Sequence, residues 1–315
     1  MTRLGLYVAT KLYKPDSISP RVTECTFQPQ QSSNLLSPPI SAQPESAPNY
    51  MTMAPNKRII LVTGANSGIG YDTSYALANA SPDNHIIMGA RSSVKGLAAL
   101  TEIQARKPAG TLSFLELDIT SDESIKAAAQ KLASDFAVLD VLVNNAGISG
   151  KEEVSRENFH TVFDTNVFST MLLTQALEPL LRKSRDPRII NVSSTLGSIT
   201  LRNDHSSAYT QVTGETYRVS KAALNMVTGI QAYQYKKWEH PAKVWSFCPG
   251  FVITNLTGED KQNKIDRGAE SSETSAQGIA EIVRGDRDDE ASVAPGTPVA
   301  QVLDAPYSGL GRDGD

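Results

Sequence analysis

Between residues 58 and 247 short apolar runs alternate with longer stretches of helical character, and this alternation constrains the fold more than any other feature. The apolar runs lie at 58–62, 85–88, 112–117, 138–143, 188–192 and 242–247. The intervening stretches at 69–80, 94–107, 122–136, 157–181 and 217–236 are long enough for about three to seven helical turns. A strand buried on both faces reads as an unbroken apolar run, because neither side faces water. Strands of this kind joined by helices run parallel and are covered by helices above and below. The expected fold class is therefore α/β: one doubly wound parallel sheet with helices on both faces, spanning residues 57–290.

The flanks differ in character. Residues 1–56 carry Pro15, Pro20, Pro29, Pro38, Pro39, Pro44, Pro48 and Pro55 with Ser and Gln between them. Such a stretch buries too little apolar surface to offset its ordering entropy, so a disordered N-terminal extension is expected. Met51 and Met53 stand just before the folded region. Translation is expected to start naturally at one of them; native peptides from residues 1–50 would refute this. Residues 277–283 read as helical, and a dense charged cluster follows at 284–290. Residues 291–315 are rich in Gly, Pro and Asp and read as a poorly ordered tail, strand-like only at 299–303.

Charge and cysteine content exclude several classes. The net charge is −4, which draws the chain toward neither nucleic acid nor an anionic membrane. No apolar run approaches the ~20 residues of a membrane-spanning helix. The two cysteines, Cys25 and Cys248, do not make a disulfide framework, so a reducing, cytoplasmic location is expected. Four histidines and two distant cysteines offer no metal-ligand spacing.

Chemistry-bearing residues fall at strand ends. After the first strand comes Thr63-Gly64-Ala65-Asn66-Ser67-Gly68-Ile69-Gly70. Glycines at a strand-to-helix turn admit a diphosphate against the backbone, and the helix start offers free N–H groups. The fourth strand ends in Asn144-Asn145-Ala146-Gly147, where ligands of open α/β sheets bind. Asp118, with Ile119 beside it, ends the third strand; its carboxylate could meet an adenine amino group or cap the next helix. Tyr217 and Lys221 lie about one helical turn apart and share a helix face. An ammonium beside a tyrosine favours the phenolate and makes the pair a candidate acid–base group.

The glycine turn, the Asn-Asn-Ala-Gly strand end and the Tyr-x-x-x-Lys pair together resemble the three signatures of the short-chain dehydrogenase/reductase family, over about residues 57–285. The resemblance implies a Rossmann-like sheet and a nicotinamide dinucleotide held by Thr63, Gly64, Asn66, Ser67, Gly68, Ile69, Gly70, Asp118, Ile119, Asn145, Ala146 and Gly147. It also implies that Ser194, at the end of the fifth strand, bonds the substrate carbonyl. Tyr217 would then deliver the proton, with Lys221 on the nicotinamide ribose keeping it acidic. Asn166 corresponds to a helix asparagine that holds a water linking the lysine to solvent. Pro249, Gly250, Ile253 and Thr254 resemble the family's Pro-Gly turn, with Ile253 and Thr254 at the nicotinamide carboxamide. At the end of the second strand, Arg91 and no carboxylate stand near the adenosine ribose. An arginine there pairs with a 2′-phosphate, so NADP(H) is expected in preference to NAD(H).

The expected activity is hydride transfer between nicotinamide and a ketone, an aldehyde or a secondary alcohol, resembling a carbonyl reductase. A catalytically idle NADP(H) sensor is the alternative, and an extended-type epimerase lacks its glycine spacing here. Ser194 and Tyr217 are 23 positions apart, farther than in compact members of the family. The extra segment within 196–214 is expected to border the substrate, and 251–274 to form a lid. Relatives pair as homodimers or homotetramers through the helices bearing Asn166 and Tyr217, although long insertions can accompany monomers.

Overall fold

The computed structural model describes residues 57–151, 153–291 and 302–304. The expected N-terminal extension and most of the expected C-terminal tail lie outside them. Six strands form where the apolar runs lie: β1 (Arg58–Thr63), β2 (Asn84–Ala90), β3 (Thr111–Glu116), β4 (Val141–Asn144), β5 (Arg188–Val192) and β6 (Lys243–Cys248). A seventh, β7 (Val302–Asp304), pairs with β6, a few residues later than the strand-like run suggests. The order across the sheet is β3-β2-β1-β4-β5-β6-β7, and every pairing is parallel. The chain thus reverses direction across the sheet between β1 and β4, the switch point where such sheets bind ligands.

Alternate residues along each strand feed two cores. On one face Ile60, Val62, Ile86, Met88, Ile190 and Phe247 pack under α1 (Gly68–Ala80), α2 (Ser93–Ala105) and α9 (Ser272–Arg284). On the other, Ile59, Leu61, Ile87, Leu142, Ile189 and Val244 meet α3 (Asp122–Asp135), α5 (Ser169–Leu181) and α7 (Glu215–Tyr235). This period of two with both faces apolar is why the strands read as continuous hydrophobic runs. Doubly wound α/β, Rossmann-like architecture is the result.

Two features depart from the expected elements. The predicted helix at 157–181 comprises α4 (Arg156–Phe163), a single π turn at Asp164–Phe168 and α5. The segment between β5 and α7 folds into a short α6 (Ile199–Asn203) flanked by 3-10 turns at Thr195–Gly197 and Ala208–Gln211. The stretch between β6 and α9 carries α8 (Lys261–Asp266). No helix among the described residues is long and apolar enough to cross a membrane.

Candidate active site

The carboxyl ends of β1, β4, β5 and β6 converge on one edge, and their loops build the site. Its frame is Thr63. The Thr63 hydroxyl accepts from the main-chain N–H of Asn145 and of Ala146, both at 3.0 Å, while Asn145 Nδ2 donates to the Thr63 carbonyl at 2.8 Å. These bonds lock the strand end 144–147 to the glycine turn. Gly68 adopts φ 54°, a left-handed conformation costly for other residues. A Cβ on Gly70 would stand 2.4 Å from the Gly64 carbonyl oxygen, so the turn closes this tightly only with glycine.

The starts of α1 and α7 carry no side-chain cap, unlike most helices of the chain. Side chains of Ser92, Ser121, Ser155, Ser198, Asp260 and Ser271 cap α2, α3, α4, α6, α8 and α9. Ser67, at the same position before α1, makes no side-chain cap bond. The first N–H groups of α1 therefore keep their capacity for an anion at the positive end of the helix dipole. This is the fit expected of a dinucleotide diphosphate.

Arg91, directly after β2, is exposed, and its charge helps to hold Asp118 below the usual carboxylate range. The larger cause is the Asp118 turn: Thr120 donates to Oδ1 from its main chain at 3.0 Å and from its hydroxyl at 2.7 Å. Ser121, not Asp118, caps the following helix. The Ile119 side chain joins the core, which leaves only its backbone for a ligand.

Tyr217 and Lys221 share one face of α7, with the Lys221 ammonium 5.5 Å from the tyrosine ring centroid. Lys221 is buried, and its Nζ donates to the Val192 carbonyl at 2.8 Å. Burial lowers its pKa to about 8. The expected acidification of Tyr217 does not occur in the protein alone. Burial pushes its pKa well above the ordinary phenol value, the Cys248 sulfur pushes the same way, and a hydrogen bond with Ser194 opposes them. Ser194 thus lies within reach of the tyrosine, whereas its neighbour Ser193 is buried and donates to Asn225 Oδ1 at 2.6 Å. The two serines are thereby separated into one that faces the site and one that ties β5 to α7.

Gly197 is a residue the sequence reading passed over. A Cβ there would lie 2.6 Å from the Lys221 carbonyl carbon, so glycine lets the Ser194 turn settle directly on α7. Nothing in the local sequence marks that contact. Asn166, in the π turn, is buried and uses its side chain fully: Nδ2 donates to the Ile148 carbonyl at 2.9 Å and to Ser220 Oγ at 3.0 Å, and Oδ1 accepts from Ile148 N–H at 2.9 Å. It braces the loop after β4 beside Gly147, where an added Cβ would stand 3.8 Å from Lys221 Nζ.

The Pro-Gly turn after β6 completes the edge. Gly250 adopts φ 79°, and Ser275 Oγ donates to the Pro249 carbonyl at 2.7 Å. The Ile253 N–H is taken by the Glu270 carbonyl at 2.9 Å, so it is committed within the loop. The Thr254 methyl lies over the glycine turn, 3.3 Å from where a Cβ on Gly68 would be.

A switch-point sheet with a glycine turn, an uncapped helix start and a convergent Ser–Tyr–Lys group defines a nucleotide-binding α/β oxidoreductase. Residues 58–265 match the short chain dehydrogenase family, and the chain belongs to it. It is similar to short-chain dehydrogenase anuI of Penicillium roqueforti, 36% identical, with 69% of this chain and 87% of that protein covered. Similarity extends to (-)-isopiperitenone reductase of Mentha piperita, 30% identical over 65% of this chain and 87% of that one. Among solved structures, NADPH-bound carbonyl reductase from chicken fatty liver superposes with a TM-score of 0.63 at 28% identity, covering 75% of this chain and 95% of that chain.

Proposed function

We propose that the chain is an NADP(H)-dependent oxidoreductase acting on a ketone or aldehyde, or on the corresponding secondary alcohol. The observation that carries this reading is the contact of Ser194 with Tyr217 beside the Lys221 ammonium, at the strand edge where the uncapped start of α1 can take a diphosphate. Similarity to an NADPH-bound carbonyl reductase supports it.

Thr63, the glycine turn, Arg91, Asp118, Asn145 to Gly147, Lys221 and Thr254 would hold the dinucleotide, which supplies the hydride when bound. Ser194 Oγ and the Tyr217 hydroxyl then hold the carbonyl oxygen from two sides. A phenol whose pKa burial has raised stays protonated at neutral pH, the form that donates. As negative charge develops on the oxygen, Tyr217 transfers its proton there, and the Lys221 ammonium stabilises the phenolate left behind. Lys221 has three donors and spends one on Val192, so the others remain for ribose hydroxyls.

A screen of NADPH oxidation over carbonyl compounds, with Tyr217→Phe as control, tests this. Turnover by the native chain and its loss in Tyr217→Phe, with NADPH binding retained, is the expected result. Undiminished turnover in Tyr217→Phe would refute the assigned acid. Cofactor binding without turnover on any compound would favour the sensor.

We propose further that two copies associate through α5 and α7. Phe168 at the end of the π turn and Met171 and Leu172 at the start of α5 are exposed, as are Val219, Met226, Ile230 and Tyr233 along one stripe of α7. Apolar side chains in such stripes are the usual material of a self-complementary interface.

A further inference from the structure

The lid carries a charge that the scheme above does not use. Lys264, on α8, is only 2% exposed. Among the described residues it makes no ion pair. Its Nζ donates to the Thr254 carbonyl at 2.5 Å. That bond occupies one of three donors, and a buried ammonium is costly unless an anion or further acceptors compensate. A position that needed only packing would be better served by methionine or leucine.

The surroundings indicate which anion. The Thr254 methyl rests over Gly68, at the uncapped start of α1. The glycine turn itself, residues 63–70, contains no basic side chain. Arg91 lies at the opposite, ribose end of the groove, beside Asp118. Through the Thr254 carbonyl, Lys264 is tied to the residue whose methyl covers the turn. The lid is pinned a second time where Ser149, in the loop after β4, donates to the Leu256 carbonyl at 2.8 Å.

On the function proposed above, we infer that Lys264 is a cofactor-positioning residue. It holds Thr254 over the glycine turn and sets a positive charge behind the diphosphate and nicotinamide half of NADP(H). Closure of the lid is thereby tied to the half of the dinucleotide that reacts.

The test compares two ligands on the ligand-free protein. NADPH is followed by its fluorescence on binding, and adenosine 2′,5′-bisphosphate, which shares the ribose phosphate but lacks the nicotinamide half, by calorimetry. Lys264→Met keeps the reach of the side chain and removes its charge. It is expected to weaken NADPH binding by about tenfold or more while leaving the bisphosphate within about twofold. Lys264→Arg should restore most of the loss, and NADPH binding should become less sensitive to salt in Lys264→Met than in the native chain.

Unchanged NADPH affinity in Lys264→Met, or equal weakening of both ligands, would overturn the inference. Equal weakening would mean that the site as a whole had loosened. If Lys264→Met fails to fold, Lys264→Gln against Lys264→Arg gives the same comparison. Failure of the native chain to bind NADPH at all would instead sink the oxidoreductase reading, and this inference with it.

Discussion

Thr63 and Asn145 bind each other twice, through Asn145 N–H to Thr63 Oγ1 at 3.0 Å and Asn145 Nδ2 to the Thr63 carbonyl at 2.8 Å. The same hydroxyl also accepts from Ala146 N–H. Asn145 N–H has a second acceptor in the Val143 carbonyl, so Ala146 depends most on Thr63. Thr63→Val removes the acceptor at nearly constant volume and should cost about 1–3 kcal/mol, the penalty of an unmet buried donor. Thr63→Ser should cost less than half as much. Thermal unfolding of both variants, read beside NADPH affinity, checks this; equal stability of Thr63→Val and the native chain would refute it.

On the proposed function, Arg91 is expected to set the cofactor choice. A guanidinium bond to a 2′-phosphate contributes about 1.5–3 kcal/mol, which is about 10–100-fold in affinity. Arg91→Ala is therefore expected to weaken NADPH binding by that factor and NADH binding by less than about twofold. Equal losses for the two cofactors would show that Arg91 does not contact the phosphate.

His85 makes the fold acid-sensitive. Its ring sits between Thr111 Oγ1 at 2.8 Å and Ser113 Oγ at 2.9 Å, on β2 against β3. Burial, with the Lys57 charge second, lowers its pKa from 6.5 to about 4. The unfolded chain takes up a proton near 6.5, whereas the folded chain refuses it until about 4. Stability from this group is complete above pH 6.5 and falls as the pH drops toward 4, by up to the order of 3 kcal/mol. Urea titrations between pH 7 and pH 4.5 should show this slope, and His85→Gln should flatten it.

The α5 and α7 stripes predict a dimer. Met226 is 66% exposed and Tyr233 59%. Met226→Glu with Ile230→Glu should yield a monomer by light scattering with its circular dichroism spectrum unchanged. A native chain that is already monomeric at high micromolar concentration would remove the proposal.

The sheet was legible because its signal is local. Runs such as Ile59 to Val62 are apolar on both faces, and no other arrangement suits them. The cluster of Ser194, Tyr217 and Lys221 was legible because a strand end and one face of a helix carry the residue types that acid–base chemistry needs. What was not legible depends on distant contacts. The π turn around Asn166 has no local signature; the bonds of that side chain to Ile148 and Ser220 come from segments far along the chain. α9 begins at Ser272, five residues before the expected helix, because its polar first turn reads as loop until Ser271 is seen to cap it. Ile119 reads as a ligand-facing residue but faces the core, since a strand end exposes its backbone and not every side chain. Lys264 lies in a polar stretch that gives no sign of burial; its burial comes from the Thr254 loop folding against it.

The serine or aspartate caps on six helices and the bare start of α1 have a consequence for abundance. A ligand seated there finishes a helix that the polypeptide leaves incomplete, and a ligand that binds only the folded form stabilises it by about 2.7 kcal/mol at one hundred times its Kd. Starved of dinucleotide, cells would hold more of this chain in open, protease-accessible forms. Its steady-state level would then follow the nicotinamide pool without any change in transcription.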